Sequence, residues 1–338
     1  MYKVVVHFNS TLHHFSQLLA GLEFLSKEKK IVLSYNLELG KYPIDIFRIE
    51  FNGLNVFFDL ADNSRIYKTI YEQSDFYVKR MLLKSDFENM KKLIPYGLYY
   101  PVYFRNQNLK YLFLKDSALL KYSLKYWSSF SGMLNVKDCI AVNELSQMES
   151  KPAIAQQVIF RARLWNPANN DTQWKKEERI LLNDQRIEIN RLLKEEFHSS
   201  FTGGIMKDDY SEKICSDLLL PEGEYHRKEY LRELKKASIG IVNQGLEDSI
   251  GAKMGEYVAN SIAIVTTSIE KFKLPGNFEE GENYFTYTNA RECLELTKRL
   301  MEDSNFRKKV QNNNAHYYSE YLHPGKKVNK ILVQIANT

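Results

Sequence analysis

Short β-branched or aromatic runs alternate with helical stretches along nearly the whole chain. That alternation restricts it to the α/β class, in which strands joined by helices build largely parallel sheets. Residues 3–8, 31–35, 55–60, 76–80 and 139–142 read as strands in the first half, with helical segments between them. Residues 157–162, 200–205, 217–220, 238–243 and 262–267 repeat the arrangement in the second half, so two similar sheets are expected. A length of 338 residues suits two domains at about 100 to 200 residues each. The join is placed near residues 147–155, a polar stretch carrying Pro152 between two apolar runs, which divides 1–150 from 151–323. One long helix spans 174–197, rich in Glu, Lys, Arg, Leu and Ile at helical spacing, with Asp171 or Thr172 available as its cap. The strand after it ends in Thr202, Gly203 and Gly204, where the glycines admit a close approach or make a turn.

Composition removes several classes. With 44% hydrophobic and 26% charged residues, 15 Gly and 8 Pro, the chain is neither collagenous nor disordered. Its three cysteines, Cys139, Cys215 and Cys293, are far apart and form no C-x-x-C pair, which argues against a zinc cluster or disulfide framework and for a reducing compartment. The N-terminal apolar run is three residues long and no apolar stretch nears 18 residues, so neither an export signal nor a spanning helix is expected, and a cytoplasmic location is. Lys and Arg exceed Asp and Glu by 47 to 42, and residues 1–150 hold 19 basic against 15 acidic side chains. From 89 to 137 there are eight basic residues and one acid, interleaved with aromatics from Tyr96 to Trp127. Such a surface suits peripheral contact with anionic lipid headgroups, although lysines on helix faces are commonly just solvated and tyrosines commonly pack a core. No recognition motif for nucleic acid accompanies it.

The densest signal is residues 238–267, SIGIVNQGLEDSIGAKMGEYVANSIAIVTT, read as strand, loop, helix, strand. The strand delivers the chain into Asn243 to Ser249, and a helix starts near Ile250 or Gly251, with Asp248 or Ser249 as candidate cap. Free backbone N–H groups and a partial positive charge gather at such a start and favour an anion, above all a phosphate. Gly245, Leu246, Ser249, Ile250, Gly251 and Ala252 would line the approach. Lys253 and Glu256 lie three apart on one helix face, an ammonium at the start and a carboxylate one turn deeper. Together they suit a nucleotide sugar, the cation meeting a diphosphate and the carboxylate a ribose diol. Alone, the pair would be an ordinary surface ion pair.

This stretch resembles the nucleotide-sugar site of GT-B glycosyltransferases, in the branch whose C-terminal domain carries an acid-x7-Glu motif. Asp248 and Glu256 have that spacing. GEYVANSIAIVTT, LPGNFEEGENYFTY and the terminal HYYSEYLHP resemble later family segments, and RARLWNP resembles the first loop of the family's C-terminal domain, whose Arg reaches the donor diphosphate. The resemblance covers about Val158 to Leu332. It implies two Rossmann-like domains facing across a cleft, a terminal helix (324–338) returning to the N-terminal domain, and transfer of a sugar from a nucleotide-diphosphate sugar to a hydroxyl of a glycan or lipid-linked acceptor. Retention of configuration without a metal, in envelope polysaccharide or glycan synthesis, is also implied. By position, Glu256 would bind the ribose, Lys253 and Arg163 the diphosphate, and Asp248 or its neighbourhood the transferred sugar; Gly204 joins the donor-side candidates. Glu247 is a second acid at x8 spacing, and Asn260 and Ser261 stand where many relatives have Ala or Cys and Gly.

In the first domain, His7, His13 and His14 surround the loop after the first strand, at the edge where ligands gather in an open α/β sheet. A histidine there, His14 foremost, could orient an acceptor hydroxyl or act as a base. Asp59, Asp62 and Arg65 are weaker candidates of the same kind. A nucleotide-sugar 2-epimerase and a catalytically silent nucleotide-sugar-binding protein are the alternative readings of the same frame. The base, sugar, acceptor, linkage and oligomeric state are not specified by any motif.

Overall fold

The computed structural model describes residues 1–9, 15–38, 40–104 and 143–338. The predicted strand at 139–142, Cys139, His13 and His14 lie outside the described residues, as do residues 105–137 of the basic aromatic stretch. The chain forms two compact units, one of Met1–Met148, Glu270–Gly276 and Ser319–Thr338, the other of Glu149–Ile269 and Asn277–Tyr318. Each is built on a Rossmann-like sheet.

The first unit's sheet runs β2-β1-β3-β4-β5-β6. Its strands are β1 (Tyr2–Phe8), β2 (Ile31–Leu37), β3 (Ile46–Phe51), β4 (Leu54–Asp59), β5 (Phe76–Lys79) and β6 (Leu93–Pro95). All pairings are parallel except those of β3, which is antiparallel to both neighbours. The sequence reading missed β3 and the short β6. β3 and β4 are joined by Asn52-Gly53, with φ of 50° and 88°, the positive values a tight hairpin demands of both central residues. Helices α1 (Ser16–Lys27), α2 (Lys68–Gln73) and α3 (Lys84–Asn89) belong to this unit. Ile46, Phe57, Ile70, Tyr77, Leu82 and Leu93 share one part of its core. A two-stranded parallel pair, β7 (Val102–Tyr103) and β8 (Asn143–Glu144), stands apart from the main sheet. Tyr96, Tyr99 and Tyr100, read above as part of an interfacial surface, are buried and belong to this unit's interior.

The second unit's sheet is wholly parallel, in the order β10-β9-β11-β12-β13. Its strands are β9 (Val158–Ala162), β10 (Phe201–Ile205), β11 (Ile239–Val242), β12 (Ala263–Thr266) and β13 (Tyr284–Thr286), the last missed from sequence. Strands buried on both faces read as unbroken apolar runs, and every residue of β9, β11 and β12 is buried. Its helices are α4 (Gln173–Phe197), α5 (Asp209–Ile214), α6 (Arg227–Lys236), α7 (Ala252–Ala259), α8 (Ala290–Glu302) and α9 (Ser304–Tyr317). Thr172 holds the cap position of α4 but its side chain makes no capping bond. The predicted strand at 217–220 is a correction: Ser216–Leu218 is a 3-10 turn, and Leu219 makes one bridge to Ile205. Pro221 follows at once and has no N–H with which to extend a ladder.

The last helix, α10 (Pro324–Ala336), belongs to the first unit and packs on α1. It buries Val328, Ile331, Leu332 and Ile335, each worth about 1.5 to 3 kcal/mol when fully removed from water. Lys327 is 3% exposed on the same helix. Its ammonium donates to the Leu98 carbonyl and lies 4.2 Å from the centre of the Tyr96 ring.

Candidate functional site

The candidate site is built at the carboxyl ends of β9 and β11, where a parallel sheet leaves a natural crevice for ligands. After β11 the chain passes Asn243 and Gln244 and enters a tight loop. Gly245 N–H donates to the Ser249 carbonyl at 2.8 Å, and Ser249 N–H to the Leu246 carbonyl at 3.2 Å. Leu246–Asp248 forms a single 3-10 turn, and Glu247 and Asp248 both have a φ of 55°. Side chains held in the left-handed region cost of order 1 to 3 kcal/mol each, strain that clusters at ligand sites. Both acids are exposed; Asp248 Oδ1 accepts from Gln244 Nε2 at 3.1 Å, and the Glu247 N–H donates to Glu178 Oε1 at 2.5 Å.

Neither Asp248 nor Ser249 caps the following helix, which corrects the sequence reading. Gly251 is the cap residue, and it has no side chain with which to accept from the first turn of α7. Ser249 and Ile250 are buried, the Ser249 Oγ occupying the space over Gly245 where a Cβ would come within 2.3 Å. A Cβ at Gly251 would meet nothing within 4 Å, so the space beside the helix start is open. Ala252 and Lys253 form the first turn and are half-buried.

Lys253 Nζ reaches back across the sheet edge and donates to the Arg161 carbonyl of β9. Burial, reinforced by the positive charges of Arg186, Arg161 and Arg163 and opposed by Glu256, brings its pKa from 10.5 down to about 8. An ammonium has three donors, so two stay available to a ligand. Arg163, just beyond β9, is exposed. Arg161 is 5% exposed, with NH1 donating to the Glu224 carbonyl at 2.7 Å and its Nε buried without a hydrogen-bond partner.

Glu256 lies one turn deeper and is 3% exposed. Its Oε1 accepts from Arg227 NH2 and its Oε2 from the Tyr230 hydroxyl, both at 2.6 Å. Burial, and then the Glu256 charge, push the Tyr230 hydroxyl well above its ordinary pKa, so it stays a donor. A carboxylate offers about four lone-pair sites, and two bonds leave room for a diol. Ser261, just beyond the Asn260 cap of α7, has a φ of 54°, the conformation that glycine adopts most easily, and its Oγ donates to the Ser150 carbonyl at 2.8 Å.

Sequence reasoning missed Arg186, in the middle of the helix read as scaffold. It is 6% exposed, donates to Asn243, Arg163 and Gln244, and stacks on Trp165 with its guanidinium carbon 4.0 Å from the ring centre. The signal was present: Leu182, Arg186, Ile189 and Leu193 share the buried stripe of α4, so a charge interrupts an apolar face. Gly204 has a φ of 149° and a Cβ there would meet the Leu218 carbonyl at 2.8 Å. It lines a cavity of about 300 Å³ with Asn190, Lys194, Leu218 and Glu224, which no residue of 245–256 lines.

In the first unit, His7 Nδ1 accepts from Arg48 NH2 at 2.8 Å and lies 3.3 Å from Glu38, and burial followed by the Arg48 charge lowers its pKa. Asp59 is fully buried, paired to Lys79 at 2.9 Å and to the Tyr77 hydroxyl at 2.6 Å. Asp62 pairs with Arg80, and Arg65 is exposed. Among the described residues no group of three or more His, Cys, Asp or Glu is placed to hold a metal ion, and no helix is long and apolar enough to cross a membrane.

No family model matches the chain, and no curated protein does. Among solved structures it is similar to the C-terminal domain of a glycosyl transferase group 1 family protein (LpcC) from Francisella tularensis, at 13% identity over 50% of this chain and 86% of that one, with a TM-score of 0.35. It is similar to WaaG, a glycosyltransferase involved in lipopolysaccharide biosynthesis, at 10% identity over 100% and 99% of the two chains, with a TM-score of 0.39. It is also similar to Anabaena Alr3699/HepE in complex with UDP-glucose, at 10% identity over the whole of both chains, with a TM-score of 0.42. Likeness at this level carries no residue across, and the site rests on its own geometry.

Proposed function

We propose that the chain is a glycosyltransferase that moves a sugar from a nucleotide-diphosphate sugar to a hydroxyl of a glycan or lipid-linked acceptor, with retention of configuration, in envelope polysaccharide or glycan synthesis. One observation carries this reading. Lys253 and three arginines converge on the carboxyl edge of a parallel sheet beside a helix start capped only by Gly251; among the described residues Lys253 and Arg186 bond only neutral oxygens, and Arg161 lies 3.8 Å from the Glu224 carboxylate. Assembling cations so is unfavourable in the free protein and becomes favourable when an anion enters.

In this reading Lys253, Arg163 and the first N–H groups of α7 receive the diphosphate, while Glu256, oriented by Arg227 and Tyr230, accepts the ribose hydroxyls. As the sugar–phosphate bond breaks, the anomeric carbon gains oxocarbenium character and about one unit of negative charge grows on the leaving diphosphate. Preorganised donors stabilise that charge, and loss of one such donor typically costs about 2.7 to 4 kcal/mol. The acceptor oxygen attacks from the leaving-group face and its proton passes to the diphosphate. Contact with the inner face of a membrane through the basic residues of 89–137, and not through the buried Tyr96, Tyr99 and Tyr100, is part of the proposal and predicts cosedimentation with anionic liposomes that weakens with salt.

A thermal-shift and calorimetric screen of UDP-, GDP-, CMP- and dTDP-sugars tests the donor half. A hit is expected, with Lys253→Ala and Glu256→Ala each lowering kcat/KM about 100-fold in a folded protein. Undiminished turnover in either variant would refute the site. Conversion of the donor without any second substrate would point to an epimerase instead.

A further inference from the structure

Arg186 holds together the two loops on which the proposed donor site stands. Its Nε donates to Asn243 Oδ1 at 2.8 Å and its NH2 to the Gln244 carbonyl at 2.8 Å, fixing the start of the loop after β11. Its NH1 donates to the Arg163 carbonyl at 2.7 Å, fixing the loop after β9. Its planar face rests on Trp165, whose backbone N–H and carbonyl are in turn both bonded by the Asn183 side chain at 3.0 and 2.8 Å. Every acceptor of Arg186 is neutral, and no carboxylate pairs with it among the described residues.

A buried guanidinium without a counterion costs several kcal/mol, whereas a neutral amide or an apolar side chain could pack a helix against two loops without that penalty. The charge therefore needs a reason beyond packing. Three bonds in one plane also set the separation of the two loops more rigidly than an ammonium could, because the fork is preorganised. We propose that Arg186 is a positioning residue for the donor diphosphate: it fixes the loop carrying Arg163 against the loop leading to Gly251, and places one unit of positive charge behind both. It does not touch the ligand. The inference rests on the glycosyltransferase reading only in requiring a diphosphate in that seat.

The test uses the full chain, its Arg186→Lys and Arg186→Gln variants, and whichever of UDP, GDP and dTDP binds the wild type best. Lysine keeps the charge and loses the fork, and glutamine loses both. Affinity is expected to fall about 10-fold in Arg186→Lys and about 100-fold in Arg186→Gln, with near-native circular dichroism in the lysine variant. A second readout separates electrostatics from loosened packing. The groups facing Lys253 are Arg186 from α4, Arg161 from β9, Arg163 from the following loop and Glu256 from its own helix. Removing the Arg186 charge should move the alkaline midpoint of nucleotide binding upward by about one pH unit in Arg186→Gln and leave it in place in Arg186→Lys. Wild-type binding with unchanged affinity in both variants, or equal midpoints in all three proteins, would overturn the role of Arg186 alone. Failure of the wild type to bind any nucleoside diphosphate would overturn the donor site and this role with it. Should Arg186→Gln fail to fold, the lysine variant decides by its affinity.

Discussion

Replacing Lys253 by methionine should make the protein more stable at neutral pH while removing the nucleotide affinity proposed for this site. The two side chains are close in length and volume, so the exchange removes a charge with little repacking. Burial and neighbouring cations lower the Lys253 pKa from 10.5 to about 8, which is about 3 kcal/mol held against the folded state wherever the unfolded chain keeps its lysine protonated. Methionine cannot donate to the Arg161 carbonyl, and a buried acceptor left unpaired returns about 1 to 2 kcal/mol of the gain. A net stabilisation of about 1 to 2 kcal/mol at pH 7 follows. The sign reverses with pH. Between about 8 and 10.5 the unfolded chain binds the extra proton, so wild-type stability rises with pH in that window by about 1.4 kcal/mol per unit relative to the variant. Urea unfolding of both proteins at pH 7.0 and about pH 9.5 should show the variant ahead at the first and level or behind at the second. A variant less stable at pH 7, or an equal advantage at both pH values, would mean that the Lys253 charge is not held against the folded state. Nucleotide affinity of the wild type should fall about tenfold per pH unit above 8 for the same reason.

Glu256→Gln should weaken a nucleoside diphosphate about tenfold and leave inorganic pyrophosphate unaffected, measured by competitive titration, because in the proposed site only the ribose meets Glu256. Asp59→Ala should cost about 3 to 5 kcal/mol in urea unfolding by stranding the buried Lys79, whereas Asp59→Leu with Lys79→Met should lose less than half as much. Gly21→Ala should lower stability by about 1 to 3 kcal/mol, since a Cβ would come within 2.5 Å of both the Pro324 carbonyl and Val328 where α1 meets α10, and the thermal midpoint records it.

The second unit was the more legible in sequence because buried parallel strands announce themselves as nearly continuous apolar runs: β9, interrupted only by Arg161, and β11 and β12 fall within a residue or two of where the pattern put them. β3 escaped notice although Asn52-Gly53 marks its hairpin; IFRIEF mixes Arg48 and Glu50 with apolar residues because one face of that strand carries the His7, Glu38 and Arg48 cluster. The 217–220 run misled because three leucines satisfy a strand pattern in composition, whereas only Leu219 makes a bridge to the edge strand. At the candidate site, Lys253 and Glu256 were legible as a pair three apart on one helix, a spacing that alone reads as an ordinary surface ion pair. Their surroundings were not: Arg227, Tyr230, Arg161 and Arg186 come from three other elements, and no local pattern links residues brought together only by folding.

Everything proposed for this chain requires the edge beside Lys253 to seat a diphosphate. A crystal structure with the best-binding nucleotide sugar tests it directly. Phosphate oxygens are expected at about 3 Å from Lys253 Nζ and from the backbone N–H groups opening α7, with the ribose diol against Glu256. A ligand held elsewhere in the chain, with Lys253 still bonded only to the Arg161 carbonyl, would contradict it.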